Sequence, residues 1–100
     1  METNMRLPLN RAPAHPGEFI IRGFMIPEDI TASVLADDMD ITVDELRQLL
    51  SAEIPCTERL AERLAVALGT EAEFWISSQR IYDAWLQREG LFDGYYLAAN

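Results

Sequence analysis

The chain has 100 residues, of which 49% are hydrophobic and 25% are charged, and this composition is typical of a single globular domain. Seventeen acidic residues against eight arginines and no lysine give a net charge of −9, which opposes long-range attraction to nucleic acid and anionic membranes. The lone Cys56 excludes an intrachain disulfide. No segment has the apolar length to span a bilayer, and the N-terminus lacks the layout of a signal peptide, so we expect a cytoplasmic protein with no membrane partner.

The first 14 residues contain two prolines and no sustained periodicity, and they are expected to form an extended N-terminal arm. A first helix is predicted to begin at Pro16, because proline is favoured at the first helical position. Pro27 is expected to end this helix. Three apolar side chains share one face of it at helical spacing: Phe19, Ile20 and Phe24.

Two further helices follow, joined by a tight turn. Thr31 is placed to cap the second helix, and Asp40 lies where the chain must turn, since aspartate tolerates a left-handed conformation. Thr42 is expected to start the third helix and to form a capping box with Glu45, in which the glutamate reaches back to the cap. Two helices joined in this way predict a helix-turn-helix, whose second helix normally enters the major groove of DNA.

The second half of the sequence predicts two more helices. Thr57 is expected to cap the fourth, and Gly69 to terminate it. Thr70 and Glu73 have the spacing of a second capping box, which would open a long fifth helix reaching about Arg88. We therefore expect an all-α protein with three parts: the arm at residues 1–14, a five-helix domain at 15–89, and a C-terminal tail at 90–100 in which an Asp-Gly pair is a hairpin signal.

Several sequence blocks resemble the HigA-type antitoxin family of XRE-type regulators. They are "HPGE" at residues 15–18, "RLAVALGTEAEFW" at 63–75, and Gln79, and the resemblance extends over about residues 15–86. It implies a lambda-repressor-like helix-turn-helix fold, autorepression of an operon as a homodimer bound to DNA, and in many members binding to a ribonuclease toxin. It does not imply an enzyme.

The helix-turn-helix and the resemblance together predict a DNA-binding surface on the second and third helices. Its candidate residues are Thr31, Ala32, Thr42, Asp44, Glu45, Arg47, Gln48 and Ser51. This surface departs from the family pattern, because Ala32 replaces a polar residue and acids follow the helix start at Thr42. Residues 31–57 contain six acids and one arginine, a net charge of −5.

The acids in the third helix admit two interpretations. Asp44 and Glu45 stabilise a first helical turn through its dipole, and this role is common. They also repel phosphate, so DNA binding would need charge from elsewhere: from arginines outside the motif, or from a basic toxin in a joint complex. Alternatively, the protein is a protein-binding module on the same scaffold that has lost DNA binding. Among the arginines outside the motif, a dimer could bring four to the duplex: Arg6, Arg11, Arg22 and Arg59.

Aromatic residues are concentrated near the C-terminus, beyond what one small core requires. Trp75 is expected in the core, whereas a second group is predicted at a dimer or partner interface, where tryptophan and tyrosine are favoured anchors. This group consists of Tyr82, Trp85, Tyr95 and Tyr96.

The sequence lacks the residues that most enzymes and metal sites require. One histidine and one cysteine cannot form a zinc site by themselves, and no glycine-rich phosphate loop is present. His15 is better interpreted as a helix cap beside Pro16, and Cys56 as a core residue. We therefore predict no catalytic residue, metal or cofactor.

Overall fold

The computed structural model describes residues 13–89, and within them the chain forms five helices joined by short turns, without a strand. The predictions made for residues 1–12 and 90–100, including the interface roles of Tyr95 and Tyr96, lie outside the described residues. The helices are α1, made of consecutive stretches Pro16–Ile20, Ile21–Met25 and Ile26–Glu28, then α2 (Ala32–Met39), α3 (Val43–Leu50), α4 (Glu58–Leu68) and α5 (Ala72–Arg88).

The first helix begins as predicted but does not end at Pro27. It continues to Glu28 and ends at Asp29, whose φ of 55° is left-handed. Proline clashes with the carbonyl four residues before it and donates no hydrogen bond. The stretch Ile21–Met25 directly before it is π-helical, with the Ile26 N–H bonded to the Ile21 carbonyl five residues back. This wider turn relieves the clash, and the helix passes through the proline.

Three helix starts and two helix ends follow the predicted signals. The hydroxyls of Thr31, Thr42 and Thr57 each accept a hydrogen bond from the amide three residues on, at 3.2, 3.0 and 3.3 Å. Asp40 ends α2 with a φ of 59°, and Gly69 ends α4 with a φ of 72°. Each signal acts within one helical turn, and the local pattern was therefore enough to predict it.

The predicted capping box at the start of α5 is wrong. The helix begins at Ala72, and its N-terminus has no side-chain cap. The Thr70 hydroxyl instead accepts a hydrogen bond from the indole N–H of Trp75 at 2.7 Å, while the Glu73 carboxylate accepts one from Ser77. Trp75 is fully buried, as predicted. Because water does not reach its indole N–H, this group needs an acceptor within the protein, and the Thr70 hydroxyl is that acceptor.

The core gathers residues from all five helices around Trp75. Phe24 packs against that ring at a centroid distance of 6.0 Å, whereas Phe19 leaves 40% of its surface exposed, contrary to the inward face predicted for it. The buried members are Ile20, Leu35, Ala36, Met39, Leu46, Leu49, Cys56, Leu60, Ala61, Leu64 and Trp75. Because Leu46 and Leu49 belong to this core, α3 is held by one face and presents the other to solvent.

Gly17 brings the start of α1 against the end of α3. A Cβ placed on this glycine would lie 2.5 Å from the carbonyl oxygen of Leu49 and 2.8 Å from that of Leu50. Those distances are too short for any side chain, so the two backbones can approach this closely only with glycine at that position. The contact fixes the last turn of α3 relative to the rest of the domain.

Replacing Gly17 with alanine is expected to lower the free energy of unfolding by about 1–3 kcal/mol, because backbone must move to make room. Gly23 is the matched control, since a Cβ there meets nothing within 4 Å. Gly23→Ala is expected to raise stability by about 0.5–1 kcal/mol, the usual gain in a helix. Urea unfolding measures both. If both variants changed the free energy of unfolding in the same direction and by the same amount, the close backbone approach at Gly17 would be contradicted.

His15 lies directly beside this contact. Its Nδ1 accepts a hydrogen bond from the Gly17 N–H at 2.9 Å, which confirms its role as the cap of α1. Its ring is 5% exposed and stands edge-on to Tyr82, with centroids 5.0 Å apart. Burial lowers the pKa of His15 to about 4. The imidazole is therefore neutral in the folded protein at neutral pH.

The low pKa of His15 makes stability depend on pH in a defined direction. Between about pH 6.5 and 4 the unfolded chain binds a proton on this residue and the folded chain does not, so acidification favours unfolding. We expect the wild type to lose more stability between about pH 7 and pH 5 than His15→Asn, which keeps a capping side chain. Urea unfolding at both values tests this, and parallel losses would contradict it.

Candidate nucleic-acid interface

The helices α2 and α3 form the helix-turn-helix that the sequence predicts. Asp40 turns the chain, and the Ile41 N–H bonds back to the Ala36 carbonyl at 3.0 Å, which closes the end of α2. Thr42 then caps α3, only three residues after α2 ends. Both helices bury one face in the common core. The connection is therefore short and the outer face of α3 is rigidly presented.

Arg63, on α4, locks the turn between the two helices. Its Nη1 donates hydrogen bonds to the carbonyls of Met39 at 3.0 Å and Asp40 at 3.1 Å, and lies 3.5 Å from the Asp40 carboxylate. A cation on the last carbonyls of a helix satisfies them and complements the helix dipole. In the sequence Arg63 stands out only through the family resemblance, because no local signal connects residues more than 20 positions apart.

The outer face of α3 carries four of the predicted site residues. Asp44, Arg47, Gln48 and Ser51 recur at i, i+3, i+4 and i+7 and are all exposed, opposite the buried face of the helix. We call these four the α3 stripe. The Ser51 hydroxyl is already engaged, because it donates to the Arg47 carbonyl at 2.8 Å.

The other candidates occupy the helix starts. Thr31 and Thr42 are exposed at the caps of α2 and α3. Ala32 is half-buried and packs against the core. Glu45 is also half-buried, beside the stripe rather than on it. The structure therefore brings the stripe together on one surface and leaves Ala32 and Glu45 at its margin.

Glu45 forms a two-pronged ion pair with Arg59 of α4. Arg59 Nη1 lies 2.9 Å from Oε2, and Nη2 lies 3.1 Å from Oε1. These hydrogen bonds hold the pKa of Glu45 below its usual value. The carboxylate turns to Arg59 instead of returning to the N–H of Thr42, so only the threonine half of the predicted capping box forms. Arg59 was predicted as one possible source of positive charge for DNA, but its guanidinium is paired with the Glu45 carboxylate.

Asp44 has a different environment. Its carboxylate lies 3.6 Å from Arg47 Nη1, too far for a hydrogen bond, and the two side chains are 90% and 68% exposed. An exposed pair of this kind contributes little to stability, and both groups remain accessible. Three arginines thus lie against acids of the helix-turn-helix: Arg63 on Asp40, Arg47 on Asp44 and Arg59 on Glu45. The surface of the helix-turn-helix therefore repels DNA phosphates less uniformly than its number of acidic residues implies.

The structure corrects the predicted interface role of Tyr82. This side chain is 7% exposed and packs within the protomer against His15 on one side and Trp85 on the other, at 5.0 and 6.0 Å between ring centroids. The face of α5 that carries Tyr82 meets the start of α1, which the sequence pattern did not reveal. Trp85 is only half-buried and stays an interface candidate.

Cys56 and Gln79 form a structural contact rather than a reactive one. The Cys56 N–H donates to Gln79 Oε1 at 2.6 Å, and Gln79 Nε2 donates to Asp83 at 2.8 Å. Burial raises the pKa of the Cys56 thiol to about 12, so it stays protonated. Within residues 13–89 no three potential metal ligands are grouped, and no helix is long and apolar enough to cross a membrane.

A short helix-turn-helix on a five-helix core defines a class of DNA-binding regulators. No family model matches the chain. Antitoxin HigA-1 of Vibrio cholerae is 33% identical over 75 residues, which are 75% of this chain and 70% of that protein. The chain belongs to the HigA antitoxin family, a family of antitoxins and regulators and not of enzymes.

Solved structures agree with this membership. The antitoxin HigA of Pseudomonas aeruginosa, determined with the higBA promoter, superposes with a TM-score of 0.71 at 26% identity, covering 82% of this chain and 87% of that one. A HigA-family antidote protein from Coxiella burnetii gives a TM-score of 0.72 at 29% identity, covering 84% and 94%. The predicted lambda-repressor-like fold and family resemblance are confirmed.

The ion pair between Glu45 and Arg59 can be tested through DNA affinity. Glu45→Gln removes an acid and releases an arginine, and it is expected to raise affinity for a random-sequence duplex at low salt by several-fold, with a steeper salt dependence. Glu62→Gln is the control, since it removes the same charge from exposed surface of α4 without releasing a paired arginine. Fluorescence anisotropy measures both. An equal gain in the two variants would contradict a release of Arg59.

Proposed function

We propose that this protein is an antitoxin-type transcriptional regulator that binds operator DNA as a homodimer, with α3 in the major groove. The observation that carries the proposal is the α3 stripe, an exposed row of polar side chains on a helix whose opposite face is fixed in the core. An α-helix of this width fits the major groove, where side chains reach base edges. The related Pseudomonas HigA, studied with promoter DNA, supports the same use here.

The start of α2 supplies contacts of a second kind. Thr31 is exposed at the cap, beside the first amides of the helix, and Thr42 occupies the equivalent position on α3. Hydroxyls and amides at helix N-termini bind phosphate oxygens without reading sequence. In this arrangement the helix starts orient the protein on the backbone, and the α3 stripe contacts the bases.

A protein partner is the second candidate function, and one surface favours it. A groove of about 410 Å³ lies between α1 and α5, and its lining is mostly apolar. Phe19, Phe74 and Ile81 line it and are 40%, 46% and 60% exposed. Apolar exposure of this kind is typical of protein interfaces. The net charge of −9 favours a basic partner, as a ribonuclease toxin would be.

DNA binding is tested with Arg47→Ala and a duplex from the region upstream of the gene. Removing an arginine that contacts a guanine or a phosphate is expected to weaken binding about tenfold or more. Arg80→Ala is the matched control, because it removes an equally exposed arginine of α5 whose nearest acid, Glu73, is 3.8 Å away. A gel shift at about 50 mM salt measures both variants.

Two results would contradict the regulator proposal. One is the absence of any shift by the wild type at low salt, with or without the neighbouring gene product. The other is an equal loss of affinity in Arg47→Ala and Arg80→Ala, which would mean that charge alone is responsible. Absence of a shift would favour the protein-binding module.

A further inference from the structure

The two acids in the first turn of α3 differ in whether their oxygens are already used. Both oxygens of Glu45 accept hydrogen bonds from Arg59, and its side chain is 28% exposed. The side chain of Asp44 is 90% exposed, and Arg47 approaches it no closer than 3.6 Å. Asp44 therefore has acceptor capacity that no group within residues 13–89 satisfies by a hydrogen bond, on the stripe that would face DNA.

A carboxylate on a surface that faces DNA can form favourable contacts with only a few groups of the duplex. Phosphates repel it, and in the major groove the hydrogen-bond donors are the amino groups of cytosine and adenine. On adenine the amino group lies beside N7, an acceptor that also repels a carboxylate. Cytosine presents its amino group without an acceptor of its own on that edge. Cytosine is therefore the base that Asp44 fits.

Arg47 supplies the complementary half of the contact. It stands one helical turn from Asp44 and is 68% exposed, with its guanidinium on the same stripe. Guanine presents N7 and O6, two acceptors that arginine binds with two hydrogen bonds. A carboxylate and a guanidinium side by side thus match the donor and acceptors that a C·G pair presents side by side.

We propose that Asp44 is a specificity-determining residue that accepts a hydrogen bond from a cytosine amino group in the operator, with Arg47 on the adjacent guanine. The proposal rests on the proposed binding of DNA by α3. It gives the acid a role beyond starting a helix. At cognate sites the carboxylate is paired with a donor, whereas at other sites it faces acceptors or phosphates and lowers affinity.

The test begins with selection from a pool of random-sequence duplexes by the wild-type protein. The enriched sites are expected to share a C·G pair in each half-site. Replacing that pair with T·A is expected to weaken binding by about 10- to 100-fold, the usual discrimination of a good base contact. If the wild type enriches no sequence and binds no duplex at low salt, the proposed function fails together with this inference.

The variant Asp44→Asn separates the inference from the proposed function. Asparagine has nearly the same shape and binds adenine through N6 and N7, so the preference for cytosine at that position is expected to weaken and acceptance of adenine to rise, although Arg47 still favours the paired guanine. Asp38→Ala is the control, since it removes the same charge from an exposed position on α2. It is expected to raise affinity for all duplexes alike and to leave the base preference unchanged.

Binding to selected sites that is retained by Asp44→Asn with an unchanged preference for cytosine would overturn the role of Asp44 and leave DNA binding intact. Circular dichroism melting of each variant checks that α3 remains folded. A second variant, Asp44→Ala, is expected to keep only the discrimination that Arg47 provides on guanine, so it should prefer cognate over T·A-substituted sites less strongly than the wild type does. Discrimination equal to that of the wild type in Asp44→Ala would also overturn the proposal.

Discussion

The position of the candidate interface depends on one close contact between two backbones. Gly17 lets the first turn of α1 approach the carbonyls of Leu49 and Leu50 to a distance that excludes a Cβ. The neighbouring residues serve the same contact: His15 caps that turn, and Pro16 starts the helix. The "HPG" block is thus a single structural device. This block fixes the C-terminal end of α3, and the buried side chains of α3 fix the rest of the helix in the core. The α3 stripe therefore lies on a rigid element.

The remaining blocks of the family resemblance also have structural explanations in this chain. Arg63 closes the end of α2, the Thr70 hydroxyl accepts from buried Trp75, and Gln79 bonds the backbone ahead of α4 at Cys56. Each is a polar side chain that pairs with a backbone or side-chain group which the helices themselves leave without a partner. Together they fix the helices around the turn. None of them lies on the α3 stripe, which separates the family framework from the residues proposed to distinguish one operator from another.

The sequence predicted the parts of this structure that depend on neighbours within one helical turn. The caps at Thr31, Thr42 and Thr57 were correct for this reason. Errors arose where a residue beyond one helical turn competes with a local signal: Trp75, five positions on, takes the hydroxyl of Thr70. The site shows the same limit. Asp44 and Glu45 are adjacent acids that sequence cannot tell apart, and they differ because Arg59, 14 positions after Glu45, binds only one of them.

An acidic chain repels DNA, whereas a helix-turn-helix is expected to bind it. The two are compatible because the net charge acts at long range and the contact residues act only at short range. A charge of −9 slows the approach to any duplex and weakens nonspecific binding, which comes from phosphates. At contact distance the arginines beside Asp40, Asp44 and Glu45 offset part of the negative charge of those acids. A regulator must find its operator among about a million or more competing nonspecific sites in the genome. Low nonspecific affinity therefore raises the ratio of specific to nonspecific affinity, which determines how selectively the operator is occupied. Acidity on this scaffold therefore favours selectivity at the expense of affinity, provided that base contacts on α3 offset the repulsion at the cognate site.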